Sequence, residues 1–221
     1  MSTARKGKNM SYAQRRQAQA RQTERNILQA ALTLMRERGF DKVSPFFIPM
    51  IIANLADGAK GAAAGEVFIH ELVHQWWGLG NMFDTSDSTS PWSAEGLTVY
   101  TTYRIVKELY GADYAQQYYV DQWQQAVDDY YLNFYVRHPE YLEKLPETER
   151  LNIAGSLSGV RHYSEMPLKL LKAEQLVGGE AAMDQILHNL FNREIDPMYP
   201  YLTYQEFLDA CHLTEEELDL G

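Results

Sequence analysis

The chain has little of several things. Its 221 residues include one cysteine, Cys211, which excludes an internal disulfide and fits a reducing compartment, so a cytoplasmic protein is expected. No apolar run is long enough for a membrane span. The longest, Pro45 to Ala56, is broken by Pro49 and Asn54 and falls well short of the roughly 20 residues a spanning helix needs. The N-terminus is basic but is not followed by an apolar segment, so no signal peptide is expected. Internal repeats and low-complexity tracts are absent. Basic residues are outnumbered, 20 against 30 acids, for a formal charge of −10. Half of them crowd into one segment: Met1 to Lys42 carries ten Lys/Arg and three acids, a balance of +7, which leaves −17 on the remainder. A basic arm on an acidic body is the pattern of an appended binding segment. What the chain does have is a core's worth of apolar side chains, 45% hydrophobic and 12% aromatic, which excludes global disorder.

The periodicity predicts a mainly helical protein. Ile27, Ala30, Ala31, Leu34 and Met35 recur at helical spacing within a helix over 11–38 that Gly39 stops. Pro45 to Asn54 reads as a short buried strand, and Gly58 to Gly65 as a loop. A helix is expected from Glu66 through Trp77, stopped by Gly78 and Gly80. After a polar loop, Asp84 to Ser90, another is expected with Ser90 as N-cap and Pro91 in its first position, ending near Tyr110 before Gly111. Ala112 to Val136 carries an aromatic stripe, Tyr114, Tyr118, Tyr119, Trp123, Tyr130 and Tyr131, expected to pack in the core. Helices over 165–177 and 180–191 follow. Thr203 with Glu206 forms a capping box for a helix to His212, and Thr214 with Glu217 repeats the device.

The chemistry lies in His70-Glu71-Leu72-Val73-His74. On a helix, residues i and i+4 share a face with Cβ atoms about 6 Å apart, so two imidazoles there can converge on one zinc ion. Glu71 is turned about 100° from His70 and borders the metal without having to ligate it, where a general base for water belongs. A catalytic zinc site needs a third protein ligand and leaves a position for water. Glu95, at the start of the next expected helix, is the candidate.

These residues extend into a wider pattern. His70-Glu71-Leu72-Val73-His74-Gln75-Trp76-Trp77-Gly78 followed by Trp92-Ser93-Ala94-Glu95-Gly96 resembles the gluzincin aminopeptidases of the aminopeptidase N and leukotriene hydrolase type. Tyr163 followed by Glu174-Gln175-Leu176-Val177-Gly178-Gly179 resembles that family's tyrosine segment. The resemblance covers about 66–208 and implies a thermolysin-like zincin core, mainly α, with at most a short β element near 45–54. It implies His70, His74 and Glu95 as zinc ligands, Glu71 as general base and Tyr163 as the hydroxyl that stabilises the oxyanion. The implied domains are a basic helical arm, 1–43, and a catalytic domain, 44–221. The implied function is zinc-dependent hydrolysis of peptides.

The sequence departs from that family in three places. Twenty residues separate His74 from Glu95, two more than the family usually has. Ser164-Glu165-Met166-Pro167 follows the tyrosine where the family has Y-x-K-G. The region before His70 reads Gly39-Phe40-Asp41-Lys42-Val43-Ser44-Pro45 where the family keeps G-x-M-E-N, so an amine-anchored exopeptidase specificity is not implied. A degenerate zincin that binds metal without efficient turnover is the alternative. The segment Arg21 to Ser44 resembles the first helix of TetR-type repressors, which makes a DNA-binding regulator a further alternative. A first helix without a recognition helix touches phosphates but does not read bases. The oligomeric state is left open.

Overall fold

The computed structural model describes residues 62–220. The expected helix over 11–38, the strand over 45–54, the repressor-like segment and the basic arm lie outside the described residues. Ile69 to Gly221 packs as one compact unit. It is mainly helical; the only β pairings among the described residues are isolated bridges, such as Phe83 with Leu202. No helix among them is long and apolar enough to cross a membrane.

The first helix, α1, spans Ala62–Val73. It begins inside the stretch expected to be a loop, because Ala62-Ala63-Ala64 outweighs the flexibility of Gly65 in helix propensity. It also ends four residues sooner than expected. The Gln75 and Trp76 amides turn back to Leu72 and Val73, tightening the chain into a turn that Gly78 completes at φ +103°.

Helix α2 is Ala94–Tyr110, capped by Ser93, whose hydroxyl accepts from the Gly96 amide at 3.3 Å. Ser90 was the expected cap; it instead accepts from the Trp92 amide at 3.2 Å in a local turn. The reason is Trp92. It is 2% exposed, stacks on both Tyr204 and Phe207 at 5.3 and 5.5 Å, and donates to the Leu202 carbonyl at 2.9 Å. Burying such a ring is worth roughly 5 kcal/mol, several times a cap's contribution of about 1. The chain therefore delivers Trp92 to the core before the helix begins. Gly111, at φ +93°, stops α2 as expected.

The next run is broken up. Helix α3, Ala112–Ala115, passes through a π-turn, Gln116–Val120, into α4, Asp121–Leu132. Asn133 leaves the helix at ψ 135° and its side chain caps α5, Phe134–Arg137, the local competition with backbone bonds that asparagine offers. Pro139 then opens α6, Pro139–Leu142. Of the aromatic stripe, Tyr119 and Trp123 are in the core and Tyr114 packs against it, whereas Tyr118 and Tyr131 are exposed.

A long helical stretch follows: α7, Glu147–Val160, a π-turn, Arg161–Glu165, and α8, Met166–Leu176. No element is legible over α7 in the sequence because it buries none of its residues. Pro167 explains the π-turn, since it has no amide proton to return to the Tyr163 carbonyl and the helix must widen ahead of it. Gly178 and Gly179, both at positive φ, end α8 as expected. Helix α9, Glu180–Phe191, matches expectation, and α10, Tyr204–Cys211, carries the full Thr203/Glu206 capping box with His212 in the left-handed conformation beyond it. Thr214 and Glu217 exchange the same pair of bonds.

Helices α2 and α8 are joined by a buried polar link. The Tyr100 hydroxyl donates to Glu174 at 2.5 Å, and Arg104 donates to both at 2.9 and 3.0 Å. Burial, then the Glu174 carboxylate, pushes the Tyr100 phenol far above its ordinary range. The helix that carries Glu95 and the helix that follows Tyr163 therefore behave as one body.

Candidate metal centre

Three side chains converge at the end of α1 and the start of α2. His70 Nε2 and His74 Nε2 are 3.1 Å apart, and Glu95 Oε2 lies 3.2 Å from the first and 3.4 Å from the second. His74 keeps the i+4 relation although α1 has ended, because its amide still bonds the His70 carbonyl at 3.2 Å. Glu95 is in the first turn of α2, where the anchor of Trp92 and the cap of Ser93 aim it. The three can hold a metal ion. Glu95 Oε2 is buried and accepts no hydrogen bond, a costly arrangement for a carboxylate oxygen that a cation among these atoms removes.

The histidine tautomer supports the same use. His74 Nδ1 is 3.0 Å from the Trp77 carbonyl, which can only accept, so Nδ1 carries the proton. The Nε2 of the neutral ring then presents its lone pair to His70 and Glu95. The Thr98 hydroxyl, fully buried one turn after Glu95, lies 3.2 Å from the same Nδ1. Trp77 is itself fixed in the core by Phe83, Phe191 and a bond to Thr101, so its carbonyl is a rigid acceptor. A Cβ on Gly78 would come within 3.4 Å of His74 Nδ1 and 3.2 Å of Ala94 Cβ. Sequence reasoning missed Trp77 and Thr98 as supports; Thr98's position three residues after Glu95, on the same helix face, was the available signal.

Electrostatics follow the geometry. Burial works against the charged form of Glu95, but the imidazoles of His70 and His74 and the Tyr163 hydroxyl hold its carboxyl far below the ordinary range. Burial likewise opposes the charge on His74, yet Glu95 and the Trp77 carbonyl outweigh it and raise the imidazole. Tyr163 sits in the π-turn, its ring stacked on His70 at 6.3 Å. Burial and the Glu95 charge push its phenol up to about 12. Glu71 is half-buried, outside the ligand triangle, and its charge bears on both His74 and Tyr163. All five residues expected from the sequence are thus brought to one place. Burial, then Arg161, lowers His162 beside them.

Gly96 makes this convergence possible. A Cβ there would lie 2.4 Å from Met166 Cγ and 2.8 Å from Met166 Cβ. Met166 is fully buried at the start of α8, directly after the turn that carries Tyr163. Gly96→Ala is expected to lower stability by about 1–3 kcal/mol, the usual cost of overpacking, read as a lower urea midpoint. An unchanged midpoint would mean that α8 can retreat freely.

No family model matches the chain, and no solved structure matches it.

Proposed function

We propose that this chain is a zinc-dependent peptide hydrolase of gluzincin type. The observation that carries the reading is the triangle of His70 Nε2, His74 Nε2 and Glu95 Oε2, with sides of 3.1, 3.2 and 3.4 Å. Ligand bonds of about 2.0–2.2 Å in a tetrahedron put neighbouring ligand atoms about 3.3–3.6 Å apart, so the triangle has close to the dimensions of one tetrahedral face. Two nitrogens and one carboxylate oxygen are the donor set of the catalytic rather than the structural zinc sites, leaving one position for water or substrate.

A zinc ion held there supplies Lewis acidity, making water acidic near neutral pH and polarising a carbonyl. The chain's own residues supply the rest. Glu71 accepts the proton of the attacking water and returns it to the departing amine. Tyr163 donates its phenol proton in a hydrogen bond to the oxygen on which charge develops. Trp77 and Thr98 hold the His74 ring in the tautomer that binds.

Metal analysis of the purified chain is expected to find about one zinc per molecule, lost in His70→Ala. A metal-free chain that takes up no zinc ends this reading. Peptides with free and blocked N-termini then separate the possibilities: cleavage of blocked peptides indicates endopeptidase-like activity, and cleavage of neither by the zinc-loaded chain indicates a degenerate zincin.

A further inference from the structure

Arg161 opens the π-turn that carries Tyr163, two residues before it. Its guanidinium forms a fork on the Glu165 carboxylate, Nε to Oε2 at 2.7 Å and Nη2 to Oε1 at 3.2 Å. Glu165, whose side chain is 3% exposed, closes the same turn, and Lys169 Nζ stands 3.9 Å from its Oε1. The remaining guanidinium nitrogen, Nη1, donates to the Thr89 carbonyl. Thr89 belongs to the loop that leads into Trp92, Ser93 and Glu95. That loop is held by its own bonds: the Thr89 amide to Asp87 at 2.8 Å, the Ser90 amide to the Asp87 carbonyl at 3.1 Å and the Trp92 amide to Ser90 at 3.2 Å.

One side chain therefore spans both ends of the widened turn and ties it to the segment that presents Glu95. A π-turn lacks the regular i→i−4 ladder, and Pro167 withholds a further amide just beyond it, so the direction of Tyr163 is not set by backbone bonds alone. On the opposite side, Gly96 against Met166 sets how closely the helices approach, but does not fix rotation of the turn. We infer that Arg161 is a positioning residue: by bridging Glu165 and the Thr89 carbonyl it locks the π-turn so that the Tyr163 hydroxyl is aimed at Glu95 and the metal centre. The inference rests on the hydrolase reading for its catalytic consequence, though not for its structural one. Lysine cannot replace arginine here, because an ammonium on a flexible stem makes no fork and cannot hold two acceptors at fixed angles.

The test is a double-mutant cycle between Arg161→Lys and Tyr163→Phe in the zinc-loaded chain. Arg161→Lys is expected to keep its zinc and its KM and to lose kcat about as much as Tyr163→Phe does, roughly a hundredfold. Combined with Tyr163→Phe it is expected to cost nothing more. Two losses that multiply would mean that Arg161 acts independently of Tyr163, and would overturn the inference. Glu165→Gln, which removes the charge of the fork while preserving its shape, is expected to behave like Arg161→Lys and serves if that variant does not fold.

A second readout needs no activity. In the metal-free chain, amide hydrogen exchange over 159–166 is expected to accelerate about tenfold or more in Arg161→Lys while α9 stays protected. Unchanged exchange in the turn overturns the inference even if no peptide is ever cleaved. Accelerated exchange with no turnover in any variant upholds the clamp and removes the hydrolase reading alone.

Discussion

Glu71→Gln is expected to keep one zinc per chain and to lose turnover by about 10²–10⁴-fold, the usual contribution of a general base. Glutamine fills the same volume and retains an acceptor oxygen, but it cannot take up a proton. The metal is expected to stay because Glu71 lies outside the triangle of His70, His74 and Glu95, whose mutual spacings do not involve it. Its charge does bear on His74 and Tyr163. The check is kcat on the best available peptide, alongside zinc analysis of the same preparation. A variant with wild-type turnover would take Glu71 out of the mechanism; one that also loses its metal would show that the residue supports the site.

Tyr163→Phe carries the next largest effect. Removing one preorganised donor to a developing oxyanion costs about 10²–10³-fold in kcat where it has been isolated, and that range is expected here. The ring remains to stack on His70, so the change removes a hydroxyl and little packing. Tyr163 is 45% exposed, and global stability is accordingly expected to move by less than about 0.5 kcal/mol. In the metal-free chain burial and the Glu95 charge push this phenol up to about 12, so titration of that chain is expected to show the same tyrosinate absorbance in wild type and Tyr163→Phe below about pH 10. A difference there would contradict the shift.

The five residues of the proposed centre were legible to different degrees, for physical reasons. His70 and His74 were the plainest, since a four-residue spacing on a helix is a local property and survives even though α1 ends at Val73. Glu71 followed from the same local geometry. Glu95 required two elements to meet, and only its place near the start of a helix could be read. Tyr163 could be singled out among fifteen tyrosines only through the resemblance of its neighbours to a known segment, because the π-turn that presents it has no periodic signature.

The stop signals and caps divide in the same way. Gly111, Gly178 and Gly179 end helices where expected, and both Thr–Glu capping pairs form, because each acts within four residues of itself. Ser90 failed as a cap because the burial of Trp92, which depends on Leu202, Tyr204 and Phe207 far along the chain, dominates the local preference. The break at Asn133 and the two π-turns were equally hidden, since helical periodicity does not distinguish a continuous helix from one widened by a residue.

A mainly helical chain, a pair of histidines on one face with a glutamate beside them, and the ends of most helices that glycine terminates follow from the order of residues alone. Those are short-range consequences of side-chain shape and backbone freedom. That Glu95 closes the triangle, that the Trp77 carbonyl sets the tautomer of His74 beside Thr98, that Gly96 lets α8 approach, and that Arg161 bridges the Tyr163 turn to the Thr89 loop are instead consequences of packing. Each of these is a contact between segments whose separation is set by packing a shared core, and no local pattern encodes that separation.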